Sequence, residues 1–250
     1  MDSDQVRARI IEVGQRVKPA LLERGLSAEE IQPGYKYVAG EAKQRPRPFW
    51  SEERGYKYID DVDDHLRRLA KSFDFLDPRP GSAVFEIGPG SCFFLVLCRE
   101  LRGCRVAGVD WIEDEAADQD DSLRMPFHDL QKYAFRLFRE HFGLADVVRH
   151  QVVKAHQPIA FGGQYDAIVA TRAMFNRGWQ EGEYRYWLED CYRHLWPEGH
   201  LMVHLNKLEP EHLAVFPFLR PVPVPGGVKK LSRIARETIG QALEGSTRRG

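Results

Sequence analysis

An acidic residue and two glycines stand where an apolar strand would turn into a helix, within residues 84–92 (VFEIGPGSC). Gly88 and Gly90 carry no Cβ, so the backbone there can take left-handed angles and let a ligand approach closely. The helical pattern of residues 93–101 would direct its free N-terminal N–H groups at that ligand. We therefore expect an anionic group, a phosphate or a carboxylate, to bind at this turn.

The residues around the glycines bear on which anion binds. A dinucleotide-binding turn (G-x-G-x-x-G) needs a small residue where this chain has Phe93, because the helix must approach the strand closely and the pyrophosphate needs room. Glu86, two positions before Gly88, instead suits a ligand that carries an ammonium group beside a carboxylate. The methionine part of S-adenosylmethionine has both groups, which makes it the better candidate.

The turn resembles the first motif of the class I S-adenosylmethionine-dependent methyltransferases, in which an acidic residue precedes three alternating glycines. Glu86, Gly88 and Gly90 match this motif, and Cys92 takes the place of the last glycine. The resemblance implies that Glu86 acts on the amino group of S-adenosylmethionine, directly or through water. It also implies that the turn holds the methionine part, through Gly88, Pro89, Gly90, Ser91 and Cys92.

A second acidic residue, Asp110, stands at the carboxyl end of the next predicted strand, residues 105–109. Its distance from the glycine turn is close to the spacing of about 20 residues that separates such a turn from a ribose-binding acid. We expect Asp110 to accept hydrogen bonds from both ribose hydroxyls and Trp111 to stack on adenine. A surface aspartate that caps the following turn is the alternative for Asp110.

Two later segments resemble further motifs of the same family, in the expected order. Residues 165–170 (YDAIVA) resemble its fourth strand, and residues 194–203 (HLWPEGHLMV) resemble its turn and fifth strand, with Glu198 in place of a usual glycine. The resemblance covers roughly residues 82–206. It implies an α/β fold, a doubly wound and mostly parallel Rossmann-like sheet with an N-terminal helical extension.

The adenine end of the cofactor site departs from the family pattern. Many relatives carry an acidic residue after the third strand, where this chain reads Lys154 and Ala155. We expect a backbone N–H of one of these two residues to reach the adenine ring instead. Thr171, after the fourth strand, is also assigned to the cofactor site.

Side chains that follow the fourth and fifth strands form the acceptor-site hypothesis. In a doubly wound sheet, ligands bind beyond the carboxyl ends of the strands. The residues there are Arg172, Phe175, Asn176, Arg177 and Asn206. The two arginines suit a carboxylate or phosphate on the acceptor, or else form salt bridges with Glu181 or Glu183.

Methyl transfer from a sulfonium centre is an in-line displacement that depends mainly on positioning, and a base helps where the acceptor is a hydroxyl. Three histidines are candidates for that base, namely His128, His156 and His204. Each is alternatively a satisfied structural residue. The acidic run of residues 113–121 reads as a solvated loop, so no metal site is predicted and a metal-independent reaction is favoured.

The elements that would position these residues divide the chain into three parts. Residues 1–80 combine helical patterns with an aromatic cluster, which indicates a helical lid that binds substrate. The alternative for the aromatic rings is that they only pack on the core. Residues 81–227 predict the cofactor-binding core. Five prolines between residues 210 and 227 predict a truncated edge of the sheet, and residues 228–250 predict a C-terminal helix and tail.

Composition limits the classes of function. The 250 residues are 43% hydrophobic and 29% charged, which suits one sizeable core. A formal net charge of −1 argues against nucleic acid or an anionic membrane as partner. The sequence shows no membrane-length apolar segment and no signal pattern, so a cytoplasmic location is expected. The four cysteines lack metal-ligand spacing and are expected to be reduced.

The leading hypothesis is methylation of an O or N atom of a small-molecule or glycan acceptor, with S-adenosylhomocysteine as product. Base methylation of DNA is disfavoured, because the motif of nitrogen-directed nucleic-acid methyltransferases is missing after the fourth strand. A non-catalytic S-adenosylmethionine-binding or scaffold protein is the alternative, since no base is evident. A nicotinamide oxidoreductase is a third hypothesis, which Phe93 opposes. Assembly is left open between a monomer and a homodimer.

Overall fold

The computed structural model describes residues 1–25, 35–38, 41–44, 49–52, 54–110, 128–153, 156–170, 181–204, 220–221 and 231–235. The helices are α1 (Ser3–Arg24), α2 (Val62–Leu76), α3 (Phe93–Arg102), α4 (His128–His141) and α5 (Glu181–Arg193). The strands are β1 (Tyr35–Val38), β2 (Glu41–Gln44), β3 (Trp50–Ser51), β4 (Gly55–Tyr56), β5 (Ala83–Ile87), β6 (Arg105–Asp110), β7 (Val148–His150), β8 (Tyr165–Ala170), β9 (Leu195–His204), β10 (Arg220–Pro221) and β11 (Leu231–Ala235).

Five parallel strands form the greater part of a seven-stranded sheet, in the spatial order β7-β6-β5-β8-β9. Counted from β5, this is the order 3-2-1-4-5 of a doubly wound sheet, in which the chain starts in the middle and builds outwards in both directions. The predicted Rossmann-like fold is therefore confirmed. The strand order reverses between β5 and β8, and ligands bind in the crevice beyond the carboxyl ends of strands at such a reversal.

Helices α1 to α4 cover one face of the sheet, and α5 covers the other. Residues of β5 show this division, because Val84 packs in the core shared with α1 to α4, whereas Phe85 and Ile87 pack in the core that contains Trp187 of α5. Successive side chains of a strand point to opposite faces, so Glu86 lies on the same side as Val84. The carboxylate of Glu86 is therefore directed towards the α1–α4 layer, and the residue is 5% exposed.

The N-terminal helices share a core with the sheet. α1 begins with a capping box, in which the Gln5 N–H donates to the Asp2 side chain at 2.8 Å and the Asp2 N–H donates to the Gln5 side chain at 3.0 Å. α1 packs on α3 and α4, and α2 packs on α3. The buried stripe of α1 consists of Val6, Ile10, Val13, Val17 and Leu21.

The first 80 residues contain two short antiparallel hairpins, β1–β2 and β3–β4, besides the helices. Three of the aromatic side chains predicted to line a lid are buried in the core, namely Phe49, Tyr56 and Tyr58. Their burial favours the packing interpretation for these three rings. The division of the chain at residues 80 and 227 stays a prediction.

The far edge of the sheet corrects two predictions. Leu231–Ala235 forms β11, which pairs antiparallel with β9, rather than part of a C-terminal helix; residues 228–230 and 236–250 lie outside the described residues. β10 pairs antiparallel with β11, so the sheet continues past β9 and is not truncated there. The physical reason is that an open edge of β9 would leave a row of backbone N–H and C=O groups without partners, and a paired strand satisfies them.

Among the described helices, none combines the length and the apolar character needed to cross a membrane.

Candidate functional site

The glycine turn joins β5 to α3 at the point where the sheet reverses its strand order. Gly88, Gly90 and Cys92 have φ values of 70°, 55° and 61°, so every second residue of the turn is left-handed. An L residue with a Cβ rarely adopts this conformation. Cys92 keeps the backbone angle that a glycine would supply, which explains how the turn forms although it lacks the third glycine.

Two glycines of the site lie so close to neighbouring atoms that a side chain would not fit there. A Cβ on Gly90 would lie 3.0 Å from the ring of Phe135 on α4. A Cβ on Gly108 of β6 would lie 2.6 Å from the main-chain oxygen of Glu86. The turn is anchored to β6, because the Gly88 N–H donates to the Val109 carbonyl at 2.8 Å. These contacts hold the turn directly against β6 and α4.

The start of α3 can accept an anion. Cys92 is the N-cap, but its side chain provides no capping hydrogen bond within the described residues, and its Sγ lies 3.6 Å from the Gly90 carbonyl oxygen instead. The first helical residues, Phe93, Phe94 and Leu95, are buried. The N–H groups of a first turn have no intrahelical acceptors and carry the positive end of the helix dipole. A carboxylate at the turn would satisfy them.

Asp110 ties the end of β6 to the glycine turn. Its Oδ2 accepts a hydrogen bond from the Gly90 N–H at 3.0 Å and lies 3.6 Å from Nη1 of Arg139 on α4. The Asp110 side chain is 17% exposed. Ribose hydroxyls bound here would donate to the same carboxylate that accepts from the Gly90 N–H, so the Asp110 side chain would hold both the turn and the ribose.

Arg139 is a site residue that the sequence analysis missed. The residue is 3% exposed, and its Nη2 has no hydrogen-bond partner among the described residues. The signal in the sequence is an arginine four residues after Phe135 and three before Phe142, on the apolar side of an amphipathic helix. A buried guanidinium needs a counter-charge, which Asp110 provides.

Cys92 lies among the charged groups of the site as a neutral thiol. Burial raises its pKa well above the ordinary value, and the negative charges of Asp110 and Glu86 act in the same direction, against the positive charge of Arg139. A thiolate is the nucleophilic form of cysteine. Cys92 is therefore a packing and backbone residue of the turn rather than a reactive one.

His65 of α2 is a second residue that the sequence analysis missed. Its Nε2 lies 3.4 Å from Oγ of Ser91, within the glycine turn. Its ring packs edge-on against Tyr58 at 4.5 Å and against Phe93 at 5.7 Å. The N-terminal segment therefore contacts the glycine turn itself, in addition to packing on α3 and α4.

The structure brings together seven of the predicted cofactor residues, which are Glu86, Gly88, Pro89, Gly90, Ser91, Cys92 and Asp110. The predicted cofactor residues Trp111, Lys154, Ala155 and Thr171 lie outside the described residues, as do the predicted acceptor residues Arg172, Phe175, Asn176, Arg177 and Asn206. All of these roles stay predictions.

The three candidate bases are described to different extents. His128 begins α4 and His204 ends β9, and their side chains lie outside the described part of the chain. His156 is exposed and left-handed, with φ 58°, and its ring packs edge-on against Tyr186 of α5 at 5.7 Å. In the portion of the chain that the structure covers, no group of three or more His, Cys, Asp or Glu side chains could hold a metal ion.

No protein-family model and no curated protein matches the sequence. Among solved structures, TrmN from Thermus thermophilus matches at 19% identity and a TM-score of 0.44, over 67% of this chain and 46% of that chain. A SAM-dependent methyltransferase from Geobacter sulfurreducens, in complex with S-adenosyl-L-homocysteine, matches at 20% identity and a TM-score of 0.38, over 63% and 50%. A methyltransferase from Pyrococcus furiosus matches at 19% identity and a TM-score of 0.44, over 74% and 89%.

The match spans about half the length of the first two of these proteins. The doubly wound fold is shown by the strand order of this chain itself.

Proposed function

We propose that this chain binds S-adenosylmethionine at the glycine turn and is a methyltransferase for an O or N atom of a small-molecule or glycan acceptor. The observation that supports the proposal best is the turn, with left-handed residues at 88, 90 and 92 between a buried acid on β5 and a second acid at the end of β6. This arrangement lies at the reversal of a doubly wound sheet, where ligands bind.

The residues present fit the methionine part of the cofactor. Its carboxylate would lie at the uncapped start of α3, where the N–H groups of the first turn point. Its ammonium group would be near Glu86, directly or through water. The tight contact between the Gly90 position and Phe135 leaves the backbone of the turn, rather than a side chain, to face the ligand.

The adenosine part would extend past the end of β6. Asp110 would accept from the ribose hydroxyls while its Oδ2 keeps the bond to Gly90. Trp111, Lys154, Ala155 and Thr171 are proposed to complete the adenine pocket. A bound S-adenosylmethionine supplies an activated methyl group, and this chain's contribution is to hold that methyl group in line with the acceptor atom.

The proposed acceptor class follows from the charge of the chain. With a formal net charge of −1, long-range attraction to polyanions is not a dominant feature of the chain, which favours a small molecule or glycan over nucleic acid or a membrane surface. Arg172, Phe175, Asn176, Arg177 and Asn206 are the proposed acceptor residues, and His128, His156 and His204 are the candidate bases. A cytoplasmic location is proposed with this function, and assembly is left open between a monomer and a homodimer.

Calorimetric titration with S-adenosylmethionine, S-adenosylhomocysteine and NADH tests the cofactor. We expect micromolar binding of the first two and none of NADH. Gly90→Asp should abolish binding, because its Cβ would lie 3.0 Å from the ring of Phe135 at a left-handed φ of 55°, so the turn would have to leave the geometry that receives the carboxylate. Gly163→Asp is the matched control, since a Cβ there meets nothing within 4 Å. Binding of NADH alone, or of nothing, would refute the methyltransferase proposal.

A non-catalytic cofactor-binding protein is the second candidate function, because the candidate base whose side chain is described, His156, is exposed and packs on Tyr186. The two candidates differ in turnover on acceptor libraries, measured as release of S-adenosylhomocysteine. Cofactor binding without turnover on any acceptor would favour the non-catalytic protein. Turnover that decreases in the variant His128→Ala, His156→Ala or His204→Ala would favour the enzyme.

A further inference from the structure

We propose that His65 is a positioning residue for the glycine turn, which holds Ser91 so that the peptide groups of the turn face the carboxylate of the cofactor. The inference rests on the proposed function, because it assigns His65 a role in binding S-adenosylmethionine. His65 Nε2 lies 3.4 Å from Ser91 Oγ, and the two residues are 3% and 4% exposed. The contact joins the N-terminal segment to the turn across 26 residues of sequence.

The place of His65 in α2 indicates that its polar ring has a purpose beyond packing. It lies in the buried stripe of the helix, whose other members are Val62, Leu66, Leu69, Phe73 and Leu76. An imidazole is costlier to bury than a leucine unless its nitrogens are hydrogen-bonded. The hydroxyl that its Nε2 faces is that of Ser91, which places the interaction on the turn.

Ser91 is well placed to transmit such a contact. It lies between Gly90 and Cys92, two of the three left-handed residues of the turn. Its hydroxyl is directed towards α2 by the contact with His65, and we expect this contact to restrain the peptide groups on either side of Ser91. Those peptide groups, together with the start of α3, are the ones proposed to receive the carboxylate.

A series of rings connects the same histidine to the turn by a second route. Tyr58 packs edge-on against His65 at 4.5 Å, and its ring lies tilted against that of Phe135 at 5.5 Å. The ring of Phe135 would lie 3.0 Å from a Cβ on Gly90. Tyr58 is left-handed, with φ 72°, which a bulky L residue rarely adopts. Such a conformation persists only where the surrounding structure determines it.

The loop that carries Tyr58 is fixed by several polar contacts. Asp60 Oδ2 accepts from the Tyr56 N–H at 2.7 Å, and the Asp60 N–H donates to the Tyr56 carbonyl at 2.9 Å. Asp60 Oδ1 also accepts from Nζ of Lys18 on α1 at 2.6 Å. The Lys57 N–H donates to the Phe49 carbonyl at 2.7 Å. These bonds tie the loop that carries Tyr58 to α1 and to Phe49.

The experiment measures the affinity of the full chain for S-adenosylhomocysteine in four variants, with Tm measured alongside. His65→Phe keeps a ring for the aromatic packing and removes the contact with Ser91, so we expect affinity to fall by roughly twofold to tenfold with little change in Tm. His65→Gln places an amide near the position of Nε2 and should recover most of the affinity. Ser91→Ala should weaken binding to a similar extent, and combining it with His65→Phe should add little, because both variants remove the same interaction.

His194→Phe is the matched control. The His194 ring stacks on Phe161 at 4.5 Å and its Nδ1 lies 2.9 Å from the Asp190 carbonyl oxygen, on the opposite face of the sheet. We expect this variant to bind S-adenosylhomocysteine as the wild type does.

Three results would overturn the positioning role. The first is wild-type affinity in His65→Phe, the second is wild-type affinity in Ser91→Ala, and the third is independent effects of the two changes in the double variant. Ser91→Ala keeps the test decisive if a change at His65 prevents folding. Failure of the proposed function is distinguishable, because the wild-type chain would then bind no S-adenosylhomocysteine at all and both proposals would be rejected together.

Discussion

Replacing Asp110 with alanine should destabilise the folded chain, in addition to lowering its affinity for the proposed cofactor. The Asp110 carboxylate accepts from the Gly90 N–H at 3.0 Å and lies 3.6 Å from Nη1 of Arg139. The Arg139 side chain is only 4% exposed, so in the variant its guanidinium would stay buried after losing this carboxylate. Removing one partner of a buried ion pair is costly because the remaining charge cannot be solvated.

The expected size follows from the geometry of the pair. Breaking a buried pair costs about 3 to 5 kcal/mol. Asp110 is 17% exposed and the N–O distance is 3.6 Å, so the lower end of that range applies. At roughly 2 to 4 °C per kcal/mol for a domain of this size, a loss of about 3 kcal/mol lowers Tm by roughly 6 to 12 °C.

Thermal unfolding without ligand, followed by calorimetry, measures this loss separately from cofactor binding. Asp63→Ala is the control, because Asp63 pairs with Arg7 at 2.8 Å on the surface, with both side chains more than half exposed. Such a pair contributes about 1 kcal/mol or less. Arg139→Met in the Asp110→Ala background should recover part of the lost Tm, since an apolar side chain has no charge to leave unpaired.

If Asp110→Ala lowers Tm no more than Asp63→Ala does, the pair of Asp110 with Arg139 does not stabilise the fold as a buried ion pair. If adding Arg139→Met lowers Tm further, the buried guanidinium is not the source of the loss. Asp110→Ala should also weaken the binding of S-adenosylhomocysteine by about 1.5 to 3 kcal/mol if the carboxylate binds the ribose.

Three further predictions concern packing, thiol chemistry and capping. Gly108→Ala should destabilise the chain by about 2 kcal/mol or more, because its Cβ would lie 2.6 Å from a main-chain oxygen. In the same thermal scan Gly163→Ala should change Tm little, because a Cβ there meets nothing within 4 Å. The four cysteines should not react with a thiol reagent at neutral pH until urea unfolds the chain. Burial raises the pKa of each thiol and keeps it protonated. Fast labelling of the native chain would contradict this prediction. Asp2→Ala should cost about 1 kcal/mol through loss of the capping box, and an unchanged urea midpoint would show that α1 does not depend on it.

The parts of the fold that the sequence predicted have local signals. β5 is a short apolar run that ends in a glycine turn, and all five of its residues are buried. The turn gives way at once to a helical pattern, and α3 begins at Phe93 as expected. The turn residues and Asp110 follow from a spacing that a single β-α-β unit imposes. For these elements the neighbouring residues in the chain are also the neighbours in space.

The parts that the sequence did not predict depend on partners far away in the chain. β11 forms because β9 offers it an edge, whereas its own residues also suit a helix. His65 and Arg139 each lie in an amphipathic helix, where a single polar residue reads as an ordinary member of the stripe. Their roles become visible only when Ser91 and Asp110 are found next to them.

The packing of α1 on α3 and α4 has a consequence for how the chain folds during synthesis. α1 is translated about 100 residues before α4, and at roughly 5 to 20 residues per second this interval lasts about 5 to 20 s. Over that time the stripe that runs from Val6 to Leu21 has no α4 to cover it. During this interval the stripe is exposed to association with other apolar segments, until α4 has been made.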